Sequence, residues 1–141
     1  MHWAISQLVV ALLGTGPLLT PGYQHWTYVA LMRAVVIVLD LVVYQSAVYA
    51  MRGELKNGLQ LALAMNLPCM ILVDHGHFQF NSVMHGLVLW AIVMVTRGHL
   101  VRATIFMVLA VMFKQMALYF ALPFGVYALT QVWGPPKQMA Y

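Results

Sequence analysis

Between Asp74 and Ser82 the chain reads Asp-His-Gly-His-Phe-Gln-Phe-Asn-Ser, with apolar runs on both sides. An acid, two imidazoles, two amides and a hydroxyl are gathered in one short segment. Histidine, glutamine and asparagine side chains both donate and accept hydrogen bonds, as the hydroxyls of a sugar require. His75 and His77 flank Gly76 and have the residue types of a metal site. The nearest further histidine is His85, which supplies no third ligand at ligand spacing, so no metal is assigned. Phe78 and Phe80 offer apolar faces, either to a sugar ring or to the bilayer. Three more ionisable residues, Arg33, Asp40 and Lys114, lie inside apolar runs. A charge in such a run is costly and marks a functional site unless it finds a partner. Arg33 either snorkels to the nearby surface or shares a helix face with Asp40 two turns away. Lys114, with Gln115 and Tyr119 close by in sequence, meets either a phosphate or a carboxylate, Asp74 or Asp40.

The elements that must position these residues are membrane helices. The chain has 141 residues, of which 63% are hydrophobic and only 7% charged. Mean hydropathy is +0.84. Soluble domains carry about a quarter charged residues, so the fold class is all-α, a polytopic helical membrane protein in contact with membrane lipids. The net charge of +4 invites a nucleic-acid reading. It is rejected, because the basic residues are neither clustered on one face nor interleaved with aromatics. The single cysteine, Cys69, excludes an internal disulfide.

Residues 1–27 are broken by Gly14, Gly16, Pro17 and Pro21 and read as an interfacial or re-entrant segment with an aromatic cluster. Residues 28–131 form the transmembrane region. Its apolar runs are 28–51, 59–73, 83–96 and 103–131, about four membrane-embedded helices, and residues 74–82 form a loop. Residues 132–141 are a short polar tail. Arg52 and Lys56 follow the first run; Arg97 and Arg102 follow the third. Two crossings separate these basic turns, so both fall on one side, and the positive-inside rule makes that side cytosolic. The 74–82 loop and the tail then face the other side. Runs of about 15 residues cover roughly 22 Å at 1.5 Å per residue, short of a hydrocarbon core of roughly 30 Å. The polar segment is therefore drawn toward the bilayer.

Asp74-His75-Gly76-His77-Phe78-Gln79-Phe80-Asn81-Ser82-Val83 resembles the lumenal loop signature of the dolichyl-phosphate-glucose-dependent glucosyltransferases of asparagine-linked glycosylation. Phe113-Lys114-Gln115-Met116-Ala117-Leu118-Tyr119, followed by Ala121-Leu122-Pro123-Phe124, is similar to a later signature of the same family, and Arg33 to Tyr44 to the helix before the loop. Asn81-Ser82-Val83 and Lys114-Gln115-Met116 resemble the enzyme that adds the first, α-1,3-linked glucose. The resemblance implies a partial GT-C fold and a multi-pass protein of the endoplasmic reticulum membrane. It also implies dolichyl phosphate glucose as donor and a mannose-rich dolichyl-pyrophosphate-linked oligosaccharide as acceptor, with no cofactor. The substrate-binding residues it points to are Asp74, His75, His77, Gln79, Asn81, Lys114, Gln115 and Arg33.

A β-linked donor and an α-linked product require inverting transfer. A carboxylate must take the acceptor's proton, and the departing phosphate needs a cation or hydrogen-bond donors. Lys114 is the candidate for the phosphate, assisted by His75 or His77. The family's base is expected on a lumenal loop preceding the matched region, and no Asp or Glu precedes Asp40. The catalytic base is thus unassigned, with Asp74 a weak substitute that better suits fixing the loop. Family members are several times longer, so the chain reads as a fragment, inactive alone. The alternative is a small polytopic membrane subunit, a channel, transporter or assembly factor, without catalysis.

Overall fold

The computed structural model describes residues 26–133 except Lys56 and Phe78. The side chains of residues 26–28 and Cys69 are not described either, so the interfacial segment, its aromatic cluster and the tail lie outside the described residues. Every regular element among the described residues is helical. In chain order they are α1 (Trp26–Leu39), a π-helical segment (Asp40–Gln45), α2 (Ser46–Ala50), α3 (Gly58–Met65), the single turn α4 (Pro68–Met70), a second π-helical segment (Ile71–His75), α5 (Asn81–Thr96), α6 (Leu100–Phe113), a 3-10 turn (Gln115–Ala117) and α7 (Leu118–Trp133).

Val29–Ala50, a continuous rod through α1, the π segment and α2, and Gln115–Trp133 are long and apolar enough to cross a membrane. α5 and α6 are shorter apolar helices. Large apolar side chains stay exposed along most of the molecule, Val101, Met112, Leu122 and Trp133 among them. That is the surface of a protein that meets lipid or further protein rather than water.

The second apolar run does not form one straight helix. Asn57 caps α3 by accepting a hydrogen bond from the Gln60 amide at 3.0 Å. α3 ends at Asn66, and Pro68 opens the next turn from its first helical position. The last turn of α3 leaves carbonyls without helical partners. Tyr44 Oη donates to Ala64 O at 2.9 Å and Gln45 Nε2 to Met65 O at 2.8 Å, so the first π segment satisfies them. The end of α3 is thereby pinned to the last third of Val29–Ala50, beside Tyr44 and Gln45.

α5 is the central helix. Its Gly86 lies against the first π segment so closely that a Cβ there would stand 2.8 Å from the Tyr44 amide nitrogen and from Val43 backbone and side-chain atoms. Small residues allow such backbone approach between membrane helices. α5 ends in a Schellman motif: Gly98, at φ 75°, donates to Val95 O at 3.0 Å, and the His99 amide donates to Met94 O at 2.8 Å. Arg97 donates to Ala50 O at 3.4 Å, and Ala50 and Met51 pack beside Met94. The two basic turns therefore sit at the same end, as the charge pattern requires.

The run 103–131 is two helices. Lys114, at φ −150° and ψ 126°, is extended and terminates α6. α7 then folds back: Phe120 meets His85 near the start of α5, and Phe124 packs against the cluster of Val93, Met94 and Ala103. α7 thus runs alongside α5 toward the end that carries Arg97, rather than extending α6 away from it. The reversal overturns the single-span reading of this run, because α6 stops where the Lys114 ammonium turns to polar acceptors on the 74–82 segment.

Candidate functional site

The polar segment is more ordered than a loop. Helical backbone continues through Gly76 and His77, and α5 begins at Asn81. Between them Phe80 adopts a left-handed conformation, φ 55° and ψ 30°. That conformation is unusual for a bulky residue and is held by burial of its ring among Met32, Val36 and Val83. Asp74 is wholly buried, at 0% exposure, and its Oδ2 accepts from the backbone amide of Ser82 in the first turn of α5. A carboxylate suits a helix N-terminus, where amides lack partners and the dipole favours negative charge. Asp74 therefore fixes the entry to α5. Its Oδ1 and the Ser82 hydroxyl are buried without partners among the described residues.

Asn81, the first residue of α5, gathers the next group. Lys114 Nζ donates to Asn81 Oδ1 and, at 3.0 Å, to Gln79 O. Asn81 Nδ2 donates to Gln79 Oε1 at 3.2 Å. His85, one turn along α5, donates from Nδ1 to Asn81 O at 2.9 Å. The sequence left Lys114 a choice between an anionic ligand and a carboxylate. In the structure its two partners are neutral oxygens, and neither Asp74 nor Asp40 pairs with it. An ammonium has three donors, and two are used. The third donor is left for a further acceptor, such as an oxygen of an anion.

A second polar group lies deeper. Asp40, buried in the first π segment, receives Gln45 Nε2 at 3.4 Å and faces His75 Nε2 at 3.8 Å. Asp40 and Gln45 were not among the site residues drawn from the sequence. The sequence did single out Asp40 as a charge inside an apolar run, but gave it no partner in the 74–82 segment. The two groups are linked through adjacent residues, His75 beside Asp74 and Ser82 beside Asn81.

Other candidates stand apart. His77, Gln79 and Gln115 are exposed, and Arg33 lies on an exposed face of α1 while Met32 and Val36 turn inward. No group of three metal-ligating side chains occurs among the described residues. A cavity of about 270 Å³ lies between α5, α6 and α7, lined by apolar side chains including Val88, Met107, Phe120 and Phe124.

The chain is 51% identical over 69 residues to a probable dolichyl pyrophosphate Man9GlcNAc2 alpha-1,3-glucosyltransferase of Schizosaccharomyces pombe, covering 49% of this chain and 14% of that protein. It is 38% identical over 114 residues to the dolichyl pyrophosphate Man9GlcNAc2 alpha-1,3-glucosyltransferase of Gallus gallus, covering 77% of this chain and 22% of that protein. It is 36% identical over 109 residues to the Saccharomyces cerevisiae protein of the same name, covering 71% and 20%. The chain thus spans less than a quarter of the length of these curated relatives. No solved structure gives a significant match. The profile of one family matches residues 1–140, nearly the whole sequence. The chain belongs to the ALG6, ALG8 glycosyltransferase family.

Proposed function

We propose that this chain supplies part of the substrate site of a glucosyltransferase that moves glucose from dolichyl phosphate glucose to the mannose-rich oligosaccharide on dolichyl pyrophosphate, by an inverting mechanism. It does so in the endoplasmic reticulum membrane, within a GT-C fold to which this segment contributes several membrane-embedded helices. The observation that carries this reading is the Lys114 ammonium, held by Gln79 O and Asn81 Oδ1 with no carboxylate partner among the described residues.

As the glycosidic bond breaks, negative charge gathers on the phosphate. A preorganised cation in a site of low polarity stabilises that charge without rearranging. Lys114 fills this role. His75, His77, Gln79 and Asn81 offer donors and acceptors to sugar hydroxyls and phosphate oxygens. None of the chain's three acidic residues suits the general base. Asp40 and Asp74 are buried and engaged, and Glu54 lies in the turn after α2, at the end that carries Arg97. The proton acceptor thus comes from another part of the enzyme.

The donor is tested in membranes that contain a full-length glucosyltransferase including this segment and lack other activity for this step. Labelled glucose supplied on dolichyl phosphate is expected on the lipid-linked oligosaccharide, and glucose supplied on a nucleotide is not when dolichyl phosphate glucose synthesis is blocked. Label arriving from the nucleotide under that block would exclude the proposed donor.

A further inference from the structure

His75 and Asp40 face each other across two π-helical segments, Ile71–His75 and Asp40–Gln45. Such segments are rare and recur at functional sites. Asp40 stands about halfway along Val29–Ala50, roughly 16 Å from its start at 1.5 Å per residue. An ionisable pair at that depth is costly unless it has a task.

We propose that Asp40 is a positioning residue for His75, holding the ring through Nε2 so that Nδ1 accepts a hydrogen bond from a sugar hydroxyl. Asp40 Oδ2 lies 3.8 Å from His75 Nε2. That separation is longer than a hydrogen bond; a small shift of the ring would let Nε2 donate to the carboxylate, an arrangement that needs the hydrogen on Nε2. A neutral imidazole then presents its lone pair at Nδ1, and the partner of one nitrogen decides what the other offers. Among the described residues His75 Nδ1 has no partner. The His75 side chain is 27% exposed against 12% for Asp40, so the ring reaches outward from a buried anchor. Gln45 Nε2 bridges Asp40 Oδ2, at 3.4 Å, and Met65 O, at 2.8 Å, which holds the carboxylate in turn. The acceptor at Nδ1 complements Lys114, which can only donate. That the hydroxyl belongs to a sugar rests on the glucosyl-transfer reading.

The test is a double-mutant cycle in a full-length glucosyltransferase that contains this segment, with Asp40→Asn, His75→Ala and the pair. Each single change is expected to lower kcat/KM for glucose transfer about tenfold. The pair is expected to lose about tenfold also, since both changes remove one interaction. Asp40→Glu is expected to recover part of the loss. Nitrogen NMR of histidine-labelled protein, with the His75 signal identified from His75→Ala, is expected to show the Nε2–H tautomer in the unmodified enzyme and a mixture in Asp40→Asn. A multiplicative loss of about a hundredfold, an unchanged Asp40→Asn or an Nδ1–H tautomer would overturn the proposal. If Asp40→Asn does not fold, the tautomer of the unmodified protein decides alone. Absence of glucose transfer by the unmodified enzyme would refute the functional reading instead, and the tautomer would still report on the Asp40–His75 pair.

Discussion

The two ends of the α5–α6 pair use cations in opposite ways. At one end Arg97 reaches Ala50 O from an exposed position, Arg52 lies 4.4 Å above the Tyr49 ring, and the turn is closed by backbone bonds around Gly98. At the other end Lys114 is partly buried and bound to Gln79 and Asn81, Asp74 is sealed against Ser82, and Asp40 meets His75. Exposed cations at a turn set which way a chain crosses a membrane. Buried and half-buried ones must be held by partners brought from distant parts of the chain, and they remain only where something requires them. The comparison separates charges that orient the protein from charges that act.

That division can be broken by substitution. The largest effect is expected for Lys114→Ala in a full-length enzyme, a loss of about a hundredfold or more in glucose transfer, as for removal of one stabilising donor at a developing anion. Glucose incorporation into lipid-linked oligosaccharide measures it. Gly86→Ala comes next and acts on stability. Its Cβ would meet backbone atoms at 2.8 Å that cannot yield, so a cost of about 1–3 kcal/mol is expected, read as a lower melting temperature in detergent. Asp74→Ala removes the carboxylate that caps α5, and a loss of about 1 kcal/mol is expected in the same assay. The smallest effect belongs to Arg97→Ala at the opposite end. Its exposed bond to a carbonyl is worth no more than about 0.5 kcal/mol, and transfer should be unchanged. A large loss of transfer in Arg97→Ala would erase the distinction between the two ends.

Much of this was legible in the sequence. The first apolar run, read as 28–51, forms the helical rod Val29–Ala50, long and apolar enough to cross a membrane. The basic turns were placed together because two apolar runs separate them, and Arg97 does reach Ala50. Hydrogen bonds join Lys114, Gln79 and Asn81, which the sequence offered as a charge inside an apolar run and as amides of the polar segment. The reversal at Lys114 was not legible, because residues on both sides of it are apolar and hydropathy averages over a break made by one extended residue. The π segments were hidden for a related reason: they change hydrogen-bond register without changing composition. The Asp40–His75 pair depends on packing between segments far apart in sequence, where periodicity along a single helix carries no information. Gly86 lies inside the 83–96 apolar run, where nothing in the sequence marks the close approach of the first π segment.

Binding of dolichyl phosphate, with uncharged dolichol as reference, tests most directly whether Lys114 receives the phosphate. In a full-length enzyme containing this segment, Lys114→Ala is expected to weaken dolichyl phosphate about tenfold or more while dolichol binds unchanged, as loss of a charge-assisted hydrogen bond implies. Equal affinity of the variant and the unmodified enzyme for dolichyl phosphate, or equal losses for the charged and uncharged lipids, would contradict the assignment.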